Sequence, residues 1–281
     1  MLAIVICILL YSTNINAQMN LPQASPKASL IQAIGITDIK MEYYKPSVKG
    51  RVIFGDVVLF DSVWRTSANE ATTISFSTDV MIEGKPLAAG KYALYTIPGK
   101  EEWTIIFNKK KDMSTPFPYN KTMDILRIKV KPLVNEMTEF MLFHISDVTL
   151  NSCTINLEWE KIKVPIKLKT DTDARVMKYI REYIHSEPDD ASVYKSAAQY
   201  TLISGLHLET GIDWIDSAII YKPDYDCYLI KGNIYGKAGN YEEAIEALNK
   251  GLELAKNEKD FDAIKATFEK TISELKSKQG K

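Results

Sequence analysis

The chain is poor in the residues that carry redox and metal chemistry, with 3 cysteines and 3 histidines among 281 residues. Cys7 lies in an apolar N-terminal run, which leaves Cys153 and Cys227. A disulfide-dense scaffold is excluded. The two remaining cysteines fall in halves with different patterning, so two free buried thiols are expected. A metal site on a β-scaffold needs two or three histidines on adjacent strands, and of His144, His185 and His207 only the first lies in a β-rich region. Neither metal nor cofactor is expected. His144 reads as a hydrogen-bonded strand histidine rather than a base. The 35 Lys+Arg against 36 Asp+Glu give a net charge of −1, without the basic surplus of a nucleic-acid binder. After the N-terminus no stretch approaches 18 apolar residues, so no integral membrane span is expected there. The sequence also lacks a Gly-rich phosphate loop, a nucleophile elbow and a His-Glu-x-x-His motif, and with them the chemistries those motifs support.

Residues 2–11 form the longest apolar run, followed by a polar stretch ending Asn16-Ala17-Gln18. This is the layout of a secretory signal peptide, residues 1–17, cut after Ala17. No Lys or Arg precedes the run, and an uncleaved anchor is the alternative. The expected location is periplasmic or secreted.

Residues 18–170 read as β. Short alternating or β-branched runs recur every eight to twelve residues: Leu30–Ile36, Ile39–Tyr44, Thr72–Phe76, Val80–Ile82, Tyr92–Ile97, Trp103–Phe107, Leu126–Val130, Glu139–Ile145, Val148–Trp159 and Ile162–Leu168. About ten strands without intervening helices predict a β-sandwich or jelly-roll-like all-β domain. Thr72–Phe76 and Val80–Ile82 read as a pair joined by Ser77-Thr78-Asp79. Residues 171–281 change to helical spacing. Val176, Ile180 and Ile184 mark a first amphipathic helix, with Asp171 or Asp173 as its cap. Further helices are expected near 191–204, 209–221, 225–238, 241–256 and 259–277. The β-half holds 20 Lys+Arg and 16 Asp+Glu, the helical half 15 and 20, so their net charges are opposite.

From Tyr228 the helical half resembles a tetratricopeptide repeat. It places Tyr228, Gly232, Tyr235, Gly239-Asn240, Ala244, Leu248 and Gly251 at the repeat's marker spacings. Tyr194 lies 34 residues before Tyr228, and Ala218 and Pro223 sit where a preceding repeat would end, with a one-residue slip between these markers. One good repeat, one degenerate repeat and a terminal cap are expected, with a protein as the partner.

The densest polar stretch is Ser62-Val63-Trp64-Arg65-Thr66-Ser67-Ala68-Asn69-Glu70-Ala71-Thr72. It combines a guanidinium, an amide, a carboxylate and hydroxyls around an indole. Upstream, Lys45-Pro46-Ser47-Val48-Lys49-Gly50-Arg51 adds three cations in a punctuated loop. Arg51, Trp64, Arg65, Thr66, Asn69 and Glu70 are therefore the candidate binding residues, for an anionic small molecule or a glycan. Three readings stay open. The chain is a non-catalytic binding or assembly protein; or it is a hydrolase with Glu70 as acid or base beside Arg65 and Asn69; or Arg65 and Glu70 form a buried pair that only fixes the loop. Trp64, Trp103 and Trp159 serve either as core or as a sugar-stacking stripe.

These motifs, with Ser25-Pro26-Lys27-Ala28, Ala89-Gly90-Lys91-Tyr92, Ile97-Pro98-Gly99 and Trp103 to Asn108, resemble the bacterial domain of unknown function 2911 over residues 22–170. The resemblance implies an exported protein and no particular activity. Lys45 and Ser67 stand where the family favours Arg and Gly.

Overall fold

The computed structural model describes residues 22–109 and 119–279. The expected signal peptide, residues 1–17, lies outside them. Ten strands precede six helices: β1 (Lys27–Ile34), β2 (Thr37–Tyr44), β3 (Thr72–Phe76), β4 (Val80–Ile82), β5 (Lys85–Leu87), β6 (Gly90–Ile97), β7 (Trp103–Asn108), β8 (Asp124–Val130), β9 (Leu133–Ser146) and β10 (Ser152–Thr170). All pairings between these strands are antiparallel. They build a six-stranded sheet in the order β1-β2-β3-β6-β7-β8 and a four-stranded sheet in the order β5-β4-β10-β9.

The pleat explains the layering. In β2, Ile39, Met41 and Tyr43 are buried and alternate with Asp38, Lys40 and Glu42. Their face meets Met141, Phe143, Ile155, Leu157, Val164 and Ile166 of the four-stranded sheet in one core, with Trp103 and Phe107 among its largest buried side chains. Each such side chain contributes about 1.5–3 kcal/mol by leaving water. The result is a two-sheet sandwich.

The structure revises the expected strands in three places. Ser77-Thr78-Asp79 does not close a hairpin, because β3 and β4 belong to different sheets. Lys85–Leu87, absent from the expected strands, pairs with β4. The runs 148–159 and 162–168 form one strand from Ser152, kinked where the register shifts on either side of Glu160, whose φ is +55°. A bulge bends a strand without ending it, so the sequence shows a break where the chain has none.

The helices are α1 (Thr172–Ser186), α2 (Ala191–Ser204), α3 (Leu208–Tyr221), α4 (Tyr225–Ala238), α5 (Tyr241–Leu254) and α6 (Phe261–Gln279). Neither Asp171 nor Asp173 caps α1 with its side chain. Asp173 instead accepts hydrogen bonds from Tyr200 (3.0 Å) and pairs with His207 (2.9 Å), joining α1 to α2 and to the turn before α3. Asp224 does cap α4, accepting from the Cys227 amide at 2.7 Å, and Lys195 of α2 reaches the same carboxylate at 3.1 Å. α2 and α4 start 34 residues apart, whereas α3 and α5 start 33 apart. The one-residue slip is the longer α2–α3 turn, Gly205-Leu206-His207, against Gly239-Asn240 between α4 and α5. A Cβ on Gly232 would meet Leu248 Cγ at 2.6 Å, so the missing side chain lets α4 and α5 approach.

Candidate functional site

The polar stretch is a loop ejected from a strand. Trp64 exchanges backbone hydrogen bonds with Thr96 of β6 at 2.8 and 2.9 Å, and Thr72 pairs with Leu94. The chain thus advances eight residues while the partner strand advances two, and residues 65–71 leave the sheet. Thr66 holds the excursion in place. It is fully buried with φ at +55°, a strained setting for a β-branched residue. Its carbonyl accepts from the Thr72 hydroxyl at 2.6 Å, and its own hydroxyl bonds that of Thr96 at 3.1 Å. Ser67 ties the loop to the end of β2 by accepting from the Tyr44 amide at 2.8 Å.

Beside this loop lies a cavity of about 450 Å³. Trp64 and Trp159 form one wall, stacked with ring centroids 5.7 Å apart and planes 23° from parallel. Phe54 braces both indoles edge-on, at 6.3 and 6.0 Å. Val57, Val58, Val63, Pro46 and Ala68 add apolar surface. Polar groups come from Arg51, Arg65, Ser25, Ser67, Tyr95 and Tyr119.

Both arginines are anchored through carbonyls, not carboxylates. Arg51 donates from Nε to Val48 O at 3.0 Å and from Nη2 to Ser47 O at 2.7 Å. Arg65 donates from Nε to Ala68 O. Among the described residues neither has an ion-pair partner. With five donors on each guanidinium, several N–H groups stay available.

Tyr119 is fixed elsewhere. Its hydroxyl donates to Asp124 Oδ2 at 2.5 Å, and Arg127 Nη1 reaches that phenol at 2.9 Å and the carboxylate at 2.8 Å. Burial, then the Asp124 hydrogen bond, pushes the phenol up to about 12. Tyr119 is therefore a protonated wall residue at neutral pH. Tyr95 meets it edge-on at 5.2 Å.

The candidate residues divide accordingly. Arg51, Trp64 and Arg65 line the cavity. Thr66 lies beneath the loop as a structural pin. Asn69 is exposed, with Nδ2 donating to Gln23 at 2.9 Å. Glu70 faces a separate depression of about 170 Å³ with Lys27, Glu42, Tyr44 and Lys91. Two expectations fall with this placement. The buried Arg65–Glu70 pair does not form, since Glu70 is exposed and Arg65 is held by its own loop. Nor does the structure gather Arg65, Asn69 and Glu70 around one space where a carboxylate could act as acid or base. The cavity lining described contains no Asp, Glu or His.

Five lining residues fall outside the stretches that the sequence singles out for binding. Ser25 precedes the first strand, Val57 and Val58 belong to the loop after β2, Tyr95 lies in β6 and Tyr119 precedes β8. Ser25, Tyr95 and Tyr119 are distant in the chain from the polar stretch, whereas Val57 and Val58 lie just before it and carry no polar group that marks them. Trp159 was legible only as an aromatic of the β-half; it is 2% exposed, and its indole N–H meets no acceptor among the described residues.

Cys153, Cys227 and His144 lie outside the cavity lining. Cys153 and Cys227 are free and buried, and burial pushes both thiols up to about 11. His144 Nε2 pairs with Glu158 at 2.9 Å across β9 and β10. Among the described residues no group of three His, Cys, Asp or Glu side chains is placed to hold a metal ion, and no helix is long and apolar enough to cross a membrane.

The family described as protein of unknown function (DUF2911) matches residues 25–168, which include the whole cavity lining and 144 of the chain's 281 residues. A tetratricopeptide repeat matches residues 225–258, that is α4, α5 and the turn after them. No curated protein matches the chain.

Proposed function

We propose that this chain, which belongs to the DUF2911 family, is a binding protein whose sandwich holds a small organic anion in the Arg51–Arg65 cavity. One observation carries the reading. Two guanidinium groups without carboxylate partners among the described residues border a cavity walled by stacked indoles. An anion offers each arginine the charge-assisted, two-pronged hydrogen bonds its geometry favours. A neutral glycan fits less well, because the lining supplies none of the carboxylates or amides that accept from and donate to sugar hydroxyls.

The test is a thermal-shift panel of phosphate monoesters, carboxylates and neutral sugars. Anions are expected to raise the melting temperature of the chain, and to do so less in Arg51→Ala and Arg65→Ala. Stabilisation by neutral sugars alone contradicts the reading.

The helical segment carries a tetratricopeptide repeat, a module that suggests protein–protein interaction. In this reading it recruits a protein partner while the sandwich holds its ligand. Ile203 and Ile220 are exposed large apolar side chains on α2 and α3. A partner captured by the chain is expected to be lost from an Ile203→Glu/Ile220→Glu variant; capture unchanged by that variant removes these helices from the interface. The work is proposed to take place outside the cytoplasm, on the strength of the apolar run at residues 2–11 and the small residue Ala17. Mass spectrometry of the protein from the producing cell is expected to find a mature chain beginning at Gln18.

A further inference from the structure

The mouth of the cavity differs from its floor. The segment from Arg51 to Trp64 buries Ile53, Phe54 and Val58 in the sandwich core. The same segment leaves four aliphatic side chains in solvent: Val52 (61% exposed), Val57 (44%), Leu59 (58%) and Val63 (41%). Of these, Val57 and Val63 line the cavity, and the Val57 amide donates to the Val52 carbonyl at 3.4 Å, so the Val52 backbone lies beside Val57. Apolar side chains scattered singly need no explanation, but a cluster around the opening of a cavity marks a place where apolar matter is received.

We infer that the ligand is a single-chain anionic amphiphile. Its carboxylate or phosphate sits against Arg51 and Arg65, and its hydrocarbon part lies along Trp64, Val57 and Val63. The inference rests on the anion reading proposed above and narrows it. Two features of the lining select this class. All its charged groups are cationic, which fixes the sign of the head. The remaining surface is aliphatic and aromatic, relieved only by serine and tyrosine hydroxyls, and gives a polar tail little to bond with. A bilayer fits less well than one molecule drawn into the cavity. Asp56 and Asp61 interrupt the same rim segment, and their carboxylates oppose an anionic membrane surface.

The experiment is isothermal titration of the purified chain with inorganic phosphate and with butyl, hexyl and octyl phosphate below their micellar concentrations. Octyl glucoside serves as a neutral control, and sedimentation with phosphatidylglycerol vesicles runs in parallel. Affinity is expected to rise about fourfold per added methylene, as transfer of CH₂ from water to an apolar wall implies. The Val57→Ser/Val63→Ser variant, altered only at exposed positions, is expected to flatten that rise. Octyl glucoside is expected to bind at least tenfold more weakly than octyl phosphate. Equal affinity for every phosphate, inorganic phosphate included, overturns the amphiphile and leaves the anion site standing. Equal binding of the glucoside and the phosphate overturns the anionic head. Binding to vesicles without binding of monomeric phosphates assigns the rim to a membrane surface and overturns the inference. Absence of all binding overturns the anion reading itself.

Discussion

The Trp64 indole stacks on that of Trp159, 5.7 Å between centroids and 23° from parallel, and the pair spans the two sheets. Trp64 bonds to β6 of the six-stranded sheet, and Trp159 belongs to β10 of the four-stranded one. The stack is thus both a fastening across the sandwich and the wall of the cavity. Trp159→Ala is expected to lower stability by about 3–5 kcal/mol, as large-to-small changes in a packed core do. Trp64→Ala, at a partly exposed position, is expected to cost less and to abolish ligand binding. Urea denaturation of the two variants, with ligand titration of the second, checks both.

Thr66 gives a test of how the loop is held. Its hydroxyl and that of Thr96 bond each other out of contact with water. Thr66→Val keeps the branched shape and the backbone demand but strands the Thr96 hydroxyl. A loss of about 1–3 kcal/mol is expected, the cost of one buried unsatisfied polar group. Denaturant unfolding reads it directly, and an unchanged midpoint contradicts the pinning role.

In the helical segment, Gly232 and Gly239 separate two reasons for glycine. Gly232→Ala drives a methyl towards Leu248 and is expected to cost about 1–3 kcal/mol by overpacking. Gly239 has φ at +88° and open space around its Cβ position, so Gly239→Ala is expected to cost only the left-handed backbone penalty of about 1–2 kcal/mol. Adding Leu248→Ala is expected to relieve part of the first defect and none of the second. A double-mutant cycle on thermal unfolding measures the difference.

Acid should loosen the joint between α1 and the following helices. At Asp173 burial opposes ionisation, but the hydrogen bonds from His207 and Tyr200 outweigh it and hold the carboxyl below its ordinary range. At Asp224 burial is likewise outweighed, by the Cys227 amide and Lys195. A carboxyl depressed in the folded state contributes stability that is complete above its unfolded value, about 3.9. That stability is lost as pH falls through the folded value. Melting temperature is therefore expected to drop below about pH 4, and Asp173→Asn to make that drop shallower. A variant with the parent's acid profile contradicts the assignment.

Much of the architecture was legible because single elements declare themselves. Ile39, Met41 and Tyr43 show the two-residue period of β2, and Tyr228, Gly232 and Ala244 show the repeat. What stayed hidden depends on partners distant in the chain. The break read between Trp159 and Ile162 is a bulge that the opposing strand carries through. Ser77-Thr78-Asp79 looks like a hairpin turn because nothing local says which sheet β4 will join. At the site, Arg51, Trp64 and Arg65 were found through their unusual local density. The same density misplaced Asn69 and Glu70. On a loop that leaves the sheet, neighbours in sequence face different depressions. Tyr95 and Tyr119, which complete the cavity, come from elsewhere.

The central claim is that Arg51 and Arg65 hold an anion together. The most direct measurement is the affinity of hexyl phosphate for the chain, for Arg51→Ala, for Arg65→Ala and for the double variant, at two salt concentrations. Each single change is expected to weaken binding about tenfold or more, the size of a lost hydrogen bond to a charged group. The double variant is expected to bind no better than the weaker single one, and affinity in the parent chain to fall with salt. Affinity unchanged in the double variant would contradict the account.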